Sequence, residues 1–282
     1  MTNKIGIIEV GGGFRGIYAA GVLDYCLDHG ITFDLGIGVS AGSANLASFT
    51  AGQARRNYQF YTEYGQRKEY ASLRNFIKTR SFIGLDYIYG TLSNSDGESP
   101  LNYHTMVNNP MEMIVVATEA ETGQAKYFTK ADLSPDNYNI FKASSAIPYV
   151  CRPYIMNGIP YYDGALADPV PVEKSFLMGC DKVILILTLP ADQIRPIGKD
   201  KFLANRICKE YPHAASELER RAMKYNTSVN LTKQYVKQGK ALIISPDDTC
   251  GVSTLSRNTT SLKNLYKKGY KDGIAISTFV NN

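Results

Sequence analysis

Residues 36–42 read Gly36-Ile37-Gly38-Val39-Ser40-Ala41-Gly42. The last five form Gly-x-Ser-x-Gly. Upstream, Ile31, Phe33, Leu35 and Ile37 fall at alternate positions, the period of a strand. Downstream, Ala41 to Phe49 is built largely of small residues and reads as a tightly packed helix. Strand, sharp turn and helix is the setting in which this pentapeptide lifts a serine hydroxyl out at a strand end. The helix start aims free backbone N–H groups at the same point. The same residues also fit a plain strand-to-helix turn, with Gly38 and Gly42 present only for packing, so the rest of the chain has to decide.

Working outward, Lys4 to Val10 is an apolar run, the pattern of a central strand. It enters Gly11-Gly12-Gly13-Phe14-Arg15-Gly16, and Ile17 to His29 follows as a helix ended by Gly30. The order strand, glycine loop, helix, strand, serine turn, helix implies an α/β fold with a parallel sheet and right-handed crossovers. Ala54 to Phe82 is polar and aromatic and reads as helix breaking up near Gly65. Gly84 to Leu101 reads as a mobile loop. Strands are expected at Met111 to Ala117, Ala125 to Thr129, Lys182 to Leu189 and Ala241 to Ser245. A hairpin is expected about Asn157-Gly158. Helices are expected at Phe141 to Ala146, Asp200 to Tyr211, Ala214 to Gln238 and Leu262 to Asp272.

The 282 residues carry 31 basic and 26 acidic side chains, a net charge of +5. That is too weak to argue for nucleic acid but fits an anionic lipid surface. Between Arg195 and Lys240 eleven Lys or Arg stand against four Asp or Glu, a local charge of +7. A solvated helix face and a surface that leans on anionic lipid both explain it. The five cysteines are scattered without a Cys-x-x-Cys pair, the pattern of buried free thiols in a reducing compartment. No secretory h-region and no run of eighteen apolar residues is present, so a cytoplasmic protein is expected, with peripheral membrane contact left open.

A serine hydroxyl needs a base to become a nucleophile. Of His29, His104 and His213, only His213 follows both the serine and the candidate acids, the order a histidine triad on this kind of fold would require. The other route uses a carboxylate. Asp163 stands in Tyr161-Tyr162-Asp163-Gly164-Ala165, just past a strand, where Gly164 permits a sharp turn. Partial desolvation would raise its pKa from about 3.9 toward one suited to a base; an Asx turn capping the strand explains the residue equally well. The glycine loop can turn several N–H groups toward an oxyanion. A dinucleotide-binding reading of that loop is weaker, because Asp34 lies within the second strand and not at its end.

Gly11-Gly12-Gly13-Phe14-Arg15-Gly16, Gly38-Val39-Ser40-Ala41-Gly42 and Asp163-Gly164-Ala165, in that order, resemble the patatin-like phospholipases. Ala143-Ser144-Ser145-Ala146-Ile147-Pro148, Asp168-Pro169-Val170-Pro171 and Leu265 to Asp272 are similar to the family as well. The resemblance implies a three-layer α/β/α sandwich with a mainly parallel sheet. It implies one domain over 1–282, with core motifs in 5–190 and a helical part, 191–282, completing it. By the same resemblance Ser40 is the nucleophile and Asp163 its partner. The backbone of Gly12, Gly13 and Phe14 forms the oxyanion hole, and Arg15 holds the loop. No cofactor and no metal is implied, and the substrate is a lipid or lysolipid acyl ester. A protein that keeps the fold for lipid binding or regulation, and a His213-dependent esterase or acyltransferase, are the alternatives.

Overall fold

The computed structural model describes residues 3–281. Eight strands form one sheet: β1 (Ile5–Glu9), β2 (Leu35–Val39), β3 (Glu112–Glu119), β4 (Ala125–Thr129), β5 (Tyr154–Met156), β6 (Ile159–Asp163), β7 (Lys182–Ile186) and β8 (Ala241–Ile244). β3, β2, β1, β7 and β8 run parallel in that spatial order. β4 and the β5–β6 hairpin add antiparallel partners around β3. The helices are α1 (Ile17–Asp28), α2 (Ala41–Thr50), α3 (Arg56–Thr62), α4 (Leu73–Thr79), α5 (Tyr103–Asn108), α6 (Asn139–Ser144), α7 (Val172–Leu177), α8 (Lys201–Ile207), α9 (Pro212–Lys237), α10 (Thr259–Asp272) and α11 (Ile274–Asn281).

Successive side chains of a strand face opposite sides, and the two sides fill two cores. Ile7, Val115, Ile184 and Ile186 join α1, α2, α6 and α10 on one side. Ile8, Ile114, Val116, Val183 and Leu185 meet α7 and α9 on the other. Helices therefore flank both faces, giving the three-layer α/β/α arrangement. β2 divides its faces more sharply. Leu35, Ile37 and Val39 enter the α7/α9 core, and the alternating Gly36 and Gly38 leave the opposite face bare, so that α2 settles directly on the strand.

The last quarter of the chain is built into this frame. β8 extends the sheet beside β7, and α10 crosses α1 closely. Three tyrosine–carboxylate hydrogen bonds fasten that crossing: Tyr18 to Asp272 at 2.8 Å, Tyr266 to Asp24 at 2.7 Å and Tyr270 to Asp28 at 2.7 Å. All five cysteines are free, but only Cys26, Cys151 and Cys180 are buried; Cys208 is exposed.

Several expected boundaries shift. The second strand starts at Leu35, because Ile31 and Phe33 lie in the approach to it. The helix expected to break up near Gly65 does so: α3 ends at Thr62, a short turn covers Tyr64–Gln66, and α4 follows. The segment expected as a mobile loop at 84–101 opens with a helical turn, Tyr87–Leu92, and buries Ile88, Tyr89 and Leu92. Its apolar residues were hidden among Gly, Ser and Asn, the residues that usually mark an exposed loop.

Candidate active site

Strand register brings the two ends of the site together. Val39, the last residue of β2, pairs with Val116 of β3. Asp163, the last residue of β6, pairs with Ala117, the next residue of β3. β4 occupies the opposite edge of β3 over the same residues. β2 and β6 therefore lie end to end along one edge of β3, with their C-terminal ends meeting. Ser40 leaves one end and Asp163 closes the other.

Ser40 turns the chain into α2 with φ 57° and ψ −131°, a backbone that side chains rarely adopt. Its amide donates to the Ser144 hydroxyl at 2.8 Å, and its carbonyl accepts from the Ser43 hydroxyl at 2.6 Å. Gly42 is required by a close approach: a Cβ there would lie 2.4 Å from the Glu9 carbonyl oxygen. Gly38 packs on Ser43, Val39 is buried in the far core, and Ala41 opens α2. Ser40 itself is 7% exposed and Asp163 4%.

Burial raises the pKa of Asp163 above the usual carboxylate value. The Ser40 hydroxyl, the Ala165 N–H and the charges of Arg221 and Arg195 pull it back down. Its Oδ1 accepts from the Ala165 amide at 2.9 Å, so Gly164-Ala165 form the turn that aims it. Thr118 of β3 donates to the Asp163 carbonyl at 2.9 Å. The Ser40 hydroxyl is near enough to lower the carboxyl's pKa, though the two make no hydrogen bond within 3.5 Å.

The glycine loop lies against the serine turn. A Cβ at Gly11 would sit 2.3 Å from the Val39 carbonyl oxygen, and its φ of 66° favours glycine as well. The amides of Gly12 and Gly13 donate to no group among the described residues. Phe14 corrects the expectation that three consecutive amides line the oxyanion hole. Its N–H is committed to the Thr254 carbonyl at 3.0 Å, because the segment before α10 folds over the loop. Arg15 donates to the Thr254 hydroxyl at 3.0 Å. Gly16 stands away from the serine; its carbonyl accepts from Asn45, which also donates to the fully buried Glu9. Burial pushes the Glu9 carboxyl well above the usual range.

Ser40 lines an apolar cavity. Ala44 and Ala47 of α2 line one side, and Leu85, Ile88, Tyr89 and Leu92 line another. The small residues of α2 thus clear space for a ligand as well as allowing close packing. Tyr89 shares a hydrogen bond with Ser145 at 3.1 Å within this wall. No histidine lines the cavity. His29 caps α1, and its Nδ1–H donates to the Tyr25 carbonyl at 2.9 Å. His104 lies on α5. His213 is exposed at the start of α9, with its backbone against Gly123, which removes the basis for a His213 triad.

Ser144 and Thr254 gained no role from sequence. Ser144 stood inside the 143–148 stretch, but nothing there tells which serine faces the turn. Thr254 belongs to no motif at all. Four of the eleven basic residues in 195–240 are used internally: Arg221 forms two bonds to Asp200, Lys233 pairs with Asp192, Lys224 with Glu217, and Arg195 stacks on Tyr225.

A family model described as patatin-like phospholipase matches residues 10–175, and a domain of unknown function matches residues 211–278. The chain is 28% identical over 204 residues to the uncharacterized protein YjjU of Escherichia coli, an alignment covering 68% of this chain and 54% of that one. It is 26% identical over 211 residues to the lysophospholipase NTE1 of Meyerozyma guilliermondii, covering 70% of this chain and 14% of that one. The chain thus aligns with about half of the bacterial relative and a small part of the yeast one. Among solved structures, VipD from Legionella pneumophila superposes with a TM-score of 0.50 at 12% identity, over 99% of this chain and 67% of that one, a likeness of fold.

Proposed function

The chain belongs to the patatin-like phospholipase family, and from that premise we propose that it is a serine acyl hydrolase acting on fatty-acyl esters of lipids, of phospholipase A or lysophospholipase type. The observation that carries this reading is Ser40 in the wall of an apolar cavity, with Asp163 brought to it by adjacent register on β3 and two uncommitted glycine amides beside it.

Ser40 Oγ attacks the ester carbonyl while Asp163 takes its proton. The carbonyl oxygen gains charge and rests on the Gly12 and Gly13 amides; one such donor is worth about 2.7–4 kcal/mol of barrier. The leaving alcohol takes the proton from Asp163, and an acyl-enzyme remains on Ser40. Asp163 then draws a proton from water as the hydroxide adds to the acyl carbonyl; on collapse the bond to Ser40 Oγ breaks, Asp163 returns the proton to that oxygen, and the fatty acid departs. Residues 211–278 act as part of the same catalytic unit, because Thr254 fixes the glycine loop from that side.

Lipid would be met at the surface by α4. No residue of this helix is buried. Leu73 is 73% and Ile77 78% exposed, and Arg74, Lys78 and Arg80 stand between and beside them. A groove lined by Leu73 adjoins the Ser40 cavity through Tyr70 and Leu255. An exposed apolar helix flanked by cations suits an anionic bilayer surface. None of the described helices is long and apolar enough to cross a membrane.

The test is intact mass after incubation with a fluorophosphonate, on the natural chain and on Ser40→Ala. One adduct that disappears in the variant is expected, followed by release of fatty acid from lysophospholipid. A folded protein that takes no adduct, with or without vesicles, overturns the reading.

A further inference from the structure

We infer that Arg56 is the end wall of the acyl cavity and sets the longest chain the site accepts, an inference that rests on the acyl-hydrolase reading of Ser40. Ser40, Ala41, Ala44 and Ala47 line the cavity along α2, and so does Arg56, whose guanidinium bonds Ser48, the residue after Ala47. Arg56 also lines a separate, more open groove on the surface, with Gln53, Gln59 and Ser99. Arg56 and Ser99 line both, and the Arg56 side chain, bonded to the Ser99 carbonyl, stands between the apolar cavity and the groove.

The wall is held from both sides. The guanidinium donates to the Ser48 hydroxyl of α2 at 3.0 Å, to the Ser93 hydroxyl at 2.9 Å and to the Ser99 carbonyl at 2.7 Å. Ser93 and Ser99 belong to the 84–101 segment that forms the opposite wall. Tyr138, Tyr89 and Tyr64 act electrostatically on Arg56, and the carboxylates Glu63 and Glu98 share the outer groove with it. Burial lowers its pKa to about 10, which leaves it charged at neutral pH. A methyl end pressed against this group gains no apolar contact, and displacing the group would break three hydrogen bonds to a cation.

Helix geometry gives the length. Ser48 lies eight residues beyond Ser40, about 12 Å at the rise of an α-helix. An extended chain advances roughly 1.2 Å per bond, one third of an extended residue. The stop therefore falls at about ten carbons.

The experiment measures labelling rate at Ser40 with alkyl fluorophosphonates of graded length, and kcat/KM with p-nitrophenyl esters of the same lengths. The natural chain and Arg56→Ala are compared, with a melting curve as the control for folding. In the natural chain both rates should rise about fourfold per methylene to about ten carbons and then fall. In Arg56→Ala the break should move to longer chains, since cavity and groove join. A natural chain whose rates keep rising to sixteen carbons overturns the inference even if the variant fails to fold. So does an unchanged break in a folded variant. Faster turnover of an ester with a terminal carboxylate than of its methyl-ended homologue, lost in Arg56→Ala, would also overturn it and make Arg56 a counter-ion. Absence of labelling by every probe is a different result, and it defeats the acyl-hydrolase reading itself.

Discussion

The amide of Ser40 donates to the hydroxyl of Ser144 at 2.8 Å, across 104 residues of sequence. Ser144 is the last residue of α6, and its carbonyl also accepts from Gly164, beside Asp163. One residue therefore touches the Ser40 turn and the Asp163 turn, the two ends of the proposed dyad. Ser144→Ala should lower kcat about ten- to a hundredfold with little change in KM, since small misplacements of reacting groups are that costly. Ser144→Thr, which keeps the hydroxyl, should recover part of the loss. Steady-state kinetics on a p-nitrophenyl ester and a melting curve check both.

Asp163 must be ionised to accept the Ser40 proton. Its pKa is raised chiefly by burial, so activity should fall as pH drops through a value above the ordinary carboxylate 3.9. A pH profile of kcat/KM should show this acidic limb, with full activity on its alkaline side. Asp163→Asn should cost about 10²–10⁴ in rate while the protein stays folded. Retained turnover in that variant would rule out the dyad.

Ser40 is held at φ 57°, a conformation that costs an L-residue about 1–3 kcal/mol. Glycine adopts it without that cost. Ser40→Gly should therefore be inactive yet melt above Ser40→Ala, by an amount equivalent to about 1 kcal/mol after glycine's entropy in the unfolded chain is subtracted. Calorimetry on the two variants measures the difference. A lower melting point for the glycine variant would show that the turn is not strained.

For α4, Leu73→Glu combined with Ile77→Glu should abolish sedimentation with anionic vesicles and leave hydrolysis of a soluble acetyl ester unaltered. Binding by the natural chain should weaken as salt rises, because exposed charges are screened within about 8 Å at physiological ionic strength. Vesicle binding that survives both substitutions would move the contact surface elsewhere, the 195–240 region being the next candidate.

Much of this protein is legible without coordinates. The βαβα opening, the order of the three motifs and the buried parallel strands follow from hydrophobic period and from where glycine stands. Those are local signals, and they place Ser40 at a strand end and Asp163 after another. The α/β class and the identity of the two residues were determined there. Whether the two would meet was not, because it depends on β2 and β6 sharing one edge of β3 in adjacent register. Register is a long-range property, fixed by which strands pack against which helices. The same holds for Phe14, whose amide looks free in sequence until Thr254, 240 residues on, folds over it. It holds also for Ile88, Tyr89 and Leu92, apolar residues in a loop-like stretch that become a cavity wall only when α2 offers its alanines opposite. Local chemistry chose the groups, and only the packing of distant segments decided which of them face each other and which are already spoken for.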